Sequence, residues 1–493
     1  AEATIQIDGI DFDIGGLTGQ PIHNYLLPEW LEEMESIPGS WQYSGYTVRE
    51  NQQRFGWKKR KKWMPRDLPW PPPGVELIFE YKATDAVIDH LMKHTSSSFD
   101  SRDEYAYLKD ITIRIHYVMY DGIPLLSKWM TVENHSEKQI VINRFTSEIL
   151  AATEPESSVG VKDDWMLPNI TVETDYEFGG GMNTTASLGK SVFWEEDPMY
   201  KTQVNYQRKA PVLLKCRPQY GPGQQVTPGQ IFESFRTWEL IHDSWERERK
   251  GLAQRKMYRT IAPWVTENPV MMHVRRADDK SVKLAIDQCA EVGFEMVILT
   301  FGSGFNIEDT GQENLQRMKS LADYAHSKGI ALGGYSLLAS RRIGGGNDVI
   351  MPEGMTPRFG NSPCLESSWG EEYFQTLYDF YKTTGHDILE HDGSYPGDVC
   401  TATHHPGHKG LNDSQWKQFN KIKTFYRWCR ARGIYLNVPD WYFLNGSSKT
   451  GMGYRETNWS LPRKQQEIIE RQNIYDGTWE KTPSMGWMHV PLT

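Results

Sequence analysis

The chain has 493 residues, which is more than one hydrophobic core ordinarily supports, so two domains are expected. A formal net charge of −10 disfavours a phosphate-rich partner, and nucleic-acid binding is therefore excluded from the expected functions. The chain has no run of about 18 apolar residues, so no membrane span is predicted.

The chain begins AEATIQIDG, without a Met or an apolar leader. This start is typical of a mature or trimmed chain, and a secreted or periplasmic protein is expected. Residues 1–245 then show runs that alternate apolar and polar residues with period two, the pattern of half-buried antiparallel strands. The clearest runs are 75–81, 111–120 and 125–133, with a turn at Asp121 and Gly122. A large antiparallel β-sandwich over 1–245 is predicted.

One basic segment interrupts this region. Residues 54–63 read RFGWKKRKKW, in which cations alternate with aromatic residues. We interpret it as a solvated loop that contacts another surface through its long side-chain stems.

The pattern changes after residue 245. Residues 246–265 are charged and helix-prone, and a linker helix is predicted there. Short apolar strands then alternate with helices, which indicates parallel βαβ units and a (β/α)8-type barrel over 266–493. The predicted strands are 270–274, 294–300, 330–338, 387–390 and 434–438, and the predicted helices are 280–292, 314–328, 371–383 and 414–432.

Six or seven barrel strands can be counted as far as the run Trp487 to Val490. A closed barrel needs eight, so the barrel is expected to be truncated at its C-terminal end. An open, doubly wound sheet is the alternative, although no GxGxxG motif follows any predicted strand.

The segment DILEHDGSYP at 387–396 is the best candidate for chemistry. A short apolar strand ends in Asp392, and glycine and proline follow at once. Barrels place catalytic acids at the carboxyl ends of strands. The chain is also 12% aromatic, with 18 Trp and 24 Tyr, and such side chains stack on sugar rings. These features predict a glycoside hydrolase with Asp392 at its centre.

A β-sandwich, a helical linker and a barrel together resemble the clan of retaining α-glycosidases that contains the α-galactosidases, especially glycoside hydrolase family 36. The similarity is carried by segments 115–134, 290–299 and 321–335. It implies an exo-acting, α-galactosidase-like enzyme that works by double displacement on oligosaccharides or polysaccharides. The sequence leaves open whether the protein forms homo-oligomers.

The resemblance also implies roles for individual residues. The nucleophile of that family ends a Lys-Trp-Asp or Lys-Tyr-Asp tripeptide, and Asp392 occupies this place in Glu390-His391-Asp392. Glu456 matches the acid/base, and Asp440 is the rival acid because it also follows a strand. The candidates for substrate binding are Asp440, Trp441, His391, Arg455, Tyr335 and Trp459.

The sequence departs from the family pattern in three places. The loop with a cysteine and a glycine run that precedes the acid/base in the family is replaced by NVPDWYFLNG at 437–446. The family has Asp-Asp-Gly-Trp after its second strand, where this chain has TFGSGF at 300–305. The lysine two residues before the nucleophile is replaced by Glu390. These departures leave two alternatives open: an enzyme of the same clan that acts on another or a substituted sugar, and a glycan-binding protein without catalysis.

Two further motifs are candidate binding sites. The sequence HHPGH at 404–408 lies close to Cys400, but Pro406-Gly407 breaks any helix and the five cysteines have no CxxC spacing. We interpret these histidines as hydrogen-bonding loop residues, and neither a metal nor a cofactor is assigned. Arg341 and Arg342 follow the third barrel strand and indicate either an anion-binding pair or a solvated loop.

Overall fold

The computed structural model describes residues 1–18, 34–94, 101–154, 166–176, 187–198, 210–357, 360–392, 398–438, 462–465, 467–468 and 471. The chain divides into two compact units. The first includes Ala1–Asn51, Pro73–Tyr176 and Ser187–Trp245, and the second includes Gln52–Pro72 and the chain from Glu246 onward. The segment Gln52–Pro72 therefore belongs to the second unit, whereas the predicted boundaries placed it in the first domain.

The first unit is built from antiparallel strands. Its described strands are β1 (Ala3–Ile7), β2 (Ile10–Ile14), β3 (Leu17–Thr18), β4 (Glu35–Ser36), β5 (Gln42–Glu50), β6 (Gly74–Lys82), β7 (Ile111–Tyr120), β8 (Leu125–Asn134), β9 (Ile140–Thr146), β10 (Glu148–Ala151), β11 (Ile170–Thr174), β12 (Val192–Glu196), β13 (Pro211–Cys216), β14 (Gln224–Val226), β15 (Ile231–Glu233) and β16 (Thr237–Ile241). Helix α1 (Asp85–His94) and a 3-10 helix (Arg102–Asp110) separate β6 from β7.

Two of these sheets form most of the first unit. One has the order β11-β16-β8-β7-β6-β5, with β15 also paired to β8, and the other has the order β14-β9-β1-β2. Phe145 of β9 packs on Phe232 of β15, with ring centroids 5.6 Å apart. Burying a phenylalanine side chain stabilises a fold by roughly 1.5–3 kcal/mol. The predicted strands in this region are confirmed, and sheet packs on sheet.

The second unit alternates parallel strands with helices. Its described helices are α2 (Arg247–Ile261), α3 (Asp279–Val292), α4 (Gln312–Ser327), α5 (Ser368–Thr384) and α6 (Leu411–Arg432), with 3-10 helices at Lys61–Trp63 and Pro263–Thr266. Its strands are β17 (Met271–Val274), β18 (Met296–Leu299), β19 (Ala331–Leu337), β20 (Ile388–Asp392) and β21 (Tyr435–Asn437). Each of α3, α5 and α6 ends at a glycine in the left-handed conformation, which lets the chain turn back into the next strand.

The five parallel strands are neighbours in chain order, from β17 to β21. A doubly wound sheet would reverse its strand order at a switch point, so this order is that of a barrel rather than of the open alternative. The sheet does not close within the part of the chain that the structure describes. The run 487–490, predicted to be a further strand, lies outside the described residues.

The two faces of this sheet are both covered. One face packs on α3 to α6 through residues such as Leu332 and Leu389. The other face buries Met296 and Ile388 against Trp63. Residues on alternate positions of one strand therefore belong to two different cores.

The basic segment is anchored beneath the sheet rather than solvated. The Trp63 side chain is 4% exposed and packs edge-on against Tyr435, with centroids 5.9 Å apart. The Arg60 guanidinium forms an ion pair with Asp387 at 3.2 Å and donates to the carbonyl of Gly433. Asp387 immediately precedes β20, and Gly433 lies in the turn before β21. The basic segment therefore covers the amino-terminal edge of the sheet.

We expect Trp63→Ala to lower the free energy of unfolding of the second unit by about 3–5 kcal/mol, because it removes a large buried side chain and leaves a cavity. Urea titration followed by circular dichroism measures this change. Phe301→Ala is the control, because its side chain is 61% exposed and its loss should cost less than about 1 kcal/mol. A similar loss in both variants would contradict the role of Trp63.

Candidate active site at the carboxyl ends of the parallel strands

The period-two geometry of β20 separates its residues into two sets. Ile388 lies in the core with Trp63, whereas Leu389 lies in the core formed with the helices. Because side chains alternate along a strand, Glu390 and Asp392 share the face of Ile388. Asp392 is the last residue of the strand, so its carboxylate stands at the carboxyl edge of the sheet.

Asp392 is held by the neighbouring strand. The hydroxyl of Tyr335 on β19 donates a hydrogen bond to Asp392 Oδ2. The backbone N–H of Leu338 donates to the Asp392 carbonyl at 2.8 Å, which continues the β19–β20 pairing to the strand end. A hydroxyl that donates a hydrogen bond to a carboxylate favours the ionised form of that carboxylate. Two predicted site residues, Asp392 and Tyr335, are therefore in direct contact at the carboxyl edge of the sheet.

Phe301 forms a rim beside this pair. It lies in the turn after β18, its side chain is 61% exposed, and its ring centroid is 5.3 Å from that of Tyr335. The sequence showed this turn only as a departure from the family pattern. The structure adds that an apolar ring stands next to Tyr335.

A buried polar network lies one layer below Asp392. Glu390 Oε1 is 3.1 Å from His273 Nε2 on β17 and 3.2 Å from Asn437 Nδ2 on β21. All three residues are buried. The sequence analysis did not identify His273 and Asn437 as site residues. The period-two alternation of their strands could have identified them, because it places both side chains on the same face as Glu390.

This network shows that the sheet is strongly curved. Strands β17 and β20 are separated by three inter-strand spacings, or about 14 Å in a flat sheet. A direct contact of 3.1 Å between His273 and Glu390 requires the inner faces to converge, as they do in a barrel.

His391 does not contribute to this face, which corrects its prediction as a substrate-binding residue. Its side chain is fully buried between β20 and helices α5 and α6. Nε2 lies 3.0 Å from the hydroxyl of Tyr373, and Nδ1 lies 2.8 Å from that of Tyr426. The physical reason is alternation, because a residue next to Asp392 must face the opposite side of the sheet.

Arg341 and Trp369 pack on each other. The Arg341 guanidinium is 4.9 Å from the Trp369 ring centroid and forms an ion pair with Glu308 at 2.8 Å. Trp369 also stacks on Tyr373, with centroids 4.9 Å apart. Arg341 is thus an anchored side chain rather than part of a solvated loop. The other candidates of the sequence analysis lie outside the described residues: Glu456, Asp440, Trp441, Arg455 and Trp459.

The fold resembles solved α-galactosidase structures. The α-galactosidase from Lactobacillus brevis superposes with a TM-score of 0.54 and 11% identity, covering 93% of this chain and 64% of that one. A variant of the family 36 α-galactosidase AgaA from Geobacillus stearothermophilus, in complex with stachyose, superposes with a TM-score of 0.52 and 10% identity. That match covers 94% of this chain and 66% of the other.

These matches establish the class of fold: the chain has the fold of family 36 α-galactosidases, as its sequence pattern predicted. The chain spans slightly less than two thirds of the length of these two enzymes. No protein-family model matches the sequence. No curated protein matches it either. Among the described helices, none is long and apolar enough to cross a membrane.

The burial of His391 predicts acid sensitivity. Burial, and secondarily the positive charge of Arg341, lowers the pKa of His391 to about 3. The unfolded chain binds a proton near pH 6.5, so His391 stabilises the fold above that pH, and the stabilisation is lost as pH falls towards 3. We expect His391→Gln to flatten the dependence of unfolding free energy on pH between 6 and 4, by up to about 1.4 kcal/mol per pH unit.

Equilibrium unfolding at several pH values measures this slope. The control is His326→Gln, because the hydrogen bond to Asp387 raises the pKa of His326. A raised pKa gives stability that is complete below pH 6.5 and is lost as pH rises, so this variant should leave the slope between pH 4 and 6 unchanged. An unaltered slope in His391→Gln would show that the buried imidazole does not titrate as inferred.

Proposed function

We propose that the chain is a secreted or periplasmic glycoside hydrolase that removes α-linked galactose or a related sugar from the end of an oligosaccharide or polysaccharide. The observation that supports it is the carboxylate of Asp392, which stands at the carboxyl end of β20 with the Tyr335 hydroxyl bound to it. The fold shared with α-galactosidases adds to this support.

In the proposed mechanism, ionised Asp392 attacks the anomeric carbon and the glycosidic bond breaks. Glu456 gives its proton to the departing oxygen, and a covalent glycosyl–enzyme forms. Glu456 then takes a proton from water, whose oxygen displaces Asp392 and restores the enzyme. The role of Glu456 stands on the sequence resemblance. The role of Asp392 stands on the resemblance and on its position in the sheet.

The rim favours a second candidate substrate. Phe301 stands in the turn where the family has an acidic pair, and the exposed face of its ring accepts an apolar group rather than a row of hydroxyls. We therefore infer that a substituted sugar, such as an acetylated galactose, is a second candidate substrate. Comparing aryl α-galactosides with and without O-acetyl groups tests this preference.

We expect Asp392→Asn to lower kcat by at least about 10⁴-fold on an aryl α-glycoside, because the nucleophile is lost. The free energy of unfolding should change by less than about 1 kcal/mol, since the carboxylate is partly exposed. The matched control is Asp379→Asn on α5, whose carboxylate is 58% exposed and pairs with Lys382. This control should retain full activity.

Azide rescue separates an enzyme from a catalytically silent glycan-binding protein. In Asp392→Ala, azide can enter the vacated space and attack the anomeric carbon, and an α-glycoside should yield the β-glycosyl azide. Wild-type protein that binds sugars without turning over any substrate of the panel would overturn the proposal. So would an Asp392→Ala variant with wild-type activity.

We expect Tyr335→Phe to lower kcat/KM by about 10- to 100-fold, because a hydrogen bond to a charged group is lost. The acidic limb of the pH–rate profile should move to higher pH, since the hydroxyl favours the ionised carboxylate. Tyr324→Phe on α4 is the control, because its hydroxyl bonds Asp287 on the outer helices. An unshifted profile in Tyr335→Phe would show that this hydroxyl does not act on the nucleophile.

A further inference from the structure

Two loops meet above the carboxyl edge of the parallel sheet. One follows β19 and the other follows β20, the strands that carry Tyr335 and Asp392. Their backbones are joined directly, because Thr401 N–H donates to the Ile350 carbonyl at 2.7 Å. Gly407 N–H likewise donates to the carbonyl of Glu366 at 3.0 Å. The two loops therefore form one layer.

Four metal-ligating side chains converge at this junction: Cys364, Cys400, His405 and His408. All four are buried, with exposures of 0%, 0%, 5% and 3% respectively. Their ligand atoms all lie within 4.8 Å of one another. The sequence analysis assigned no metal here, because Pro406-Gly407 breaks any helix and the five cysteines have no CxxC spacing.

The distances match the edges of a small tetrahedron. His405 Nδ1 is 3.1 Å from His408 Nε2, Cys364 Sγ is 3.4 Å from His408 Nε2, and Cys400 Sγ is 3.5 Å from His405 Nδ1. Zinc bonds of about 2.3 Å to sulfur and 2.0–2.1 Å to nitrogen give tetrahedral edges of about 3.3–3.8 Å. Only small shifts would centre an ion among the four atoms.

The surroundings prepare these atoms as ligands. His405 Nε2 lies 2.7 Å from the carbonyl of Gly346, to which it must donate, so Nδ1 carries a lone pair. Ile350 N–H donates to Cys400 Sγ at 3.4 Å, a contact that stabilises a thiolate. Val349 and Ala402 pack around the sulfur atoms and keep the junction apolar.

Charge balance favours a dication at the centre. Two thiolates buried alone would repel each other at low dielectric, whereas a zinc ion with two thiolates and two neutral imidazoles has no net charge. Two sulfur and two nitrogen donors in a tetrahedron are a zinc set, and calcium or magnesium would require oxygen ligands.

We propose that Cys364, Cys400, His405 and His408 bind one structural zinc ion that fastens the loop after β19 to the loop after β20. Four protein ligands complete the coordination, so no position is open for water or substrate. The ion therefore acts on the proposed active site only through the loops, by holding the layer that follows Tyr335 and Asp392. It takes no part in the chemistry.

The first test needs no variant. The purified full chain, expressed with zinc in the medium and dialysed, should contain about one zinc per chain by elemental mass spectrometry. Replacement with Co(II) should give thiolate-to-cobalt charge-transfer bands and the intense visible bands of tetrahedral cobalt. Zinc below about 0.1 per chain, or a cobalt spectrum without thiolate bands, would overturn the proposal.

The second test uses matched substitutions. Cys364→Ser and His405→Ala should lower bound zinc at least about 10-fold, as loss of a ligand does. The controls are His404→Ala, an exposed neighbour in the same loop, and Cys289→Ser, a buried thiol of α3. Both controls should keep their zinc, and equal loss in controls and ligand variants would contradict the assignment.

The third test separates zinc from a disulfide. Alkylation under denaturing conditions, in the presence of a chelator and without reductant, should modify all five cysteines. Protection of Cys364 and Cys400, together with an intact mass lower by two hydrogens, would identify a disulfide and overturn the proposal. Removing zinc with a chelator should lower the melting temperature, and adding zinc should restore it.

Discussion

The hydrogen bond between His273 and Glu390 is the constraint on which the geometry of the second unit depends. It joins β17 to β20, strands that a flat sheet would keep about 14 Å apart. Burying either of these polar side chains without a hydrogen-bond partner would cost folding free energy, so the fold must bring the two together. The sheet must therefore curve, and its curvature turns the strand ends, with Asp392 among them, towards a common axis.

The close pairing of β19 with β20 then fixes where Tyr335 meets Asp392. A Cβ at Gly333 would lie 2.1 Å from the carbonyl oxygen of Ile388, and one at Gly334 would lie 2.5 Å from the ring of Phe305. Only glycine permits this approach on both faces of β19. The register that results places Leu337 opposite Asp392, and the Tyr335 hydroxyl within reach of its carboxylate.

The period of each strand and the succession of strands and helices along the chain were readable from the sequence, because they are local properties. The alternation of strands and helices after residue 245 predicted the parallel units, and the position of Asp392 at a strand end predicted its place in the sheet. The same alternation also implies that His391 faces the side of the sheet opposite to Asp392. The sequence prediction grouped His391 with Asp392 only because the two residues are adjacent. Trp63 lies more than 370 residues before Tyr435, and no local pattern in a charge-rich segment indicates that contact.

The zinc ligands were hidden for a related reason, since Cys364 and Cys400 come from different loops and meet only because β19 and β20 are neighbours. Three sets of contacts therefore hold β20 and the loop that follows it, at three successive positions along the strand direction. Ile388 packs on the Trp63 cluster at the bottom, Glu390 binds His273 in the middle, and the loops meet above Asp392. Loops lack the backbone ladders that hold strands and helices, so a metal ion that joins two loops adds a constraint that regular structure does not supply there. The proposed zinc therefore belongs at the upper layer, because the two lower layers are already fixed by packing and hydrogen bonds.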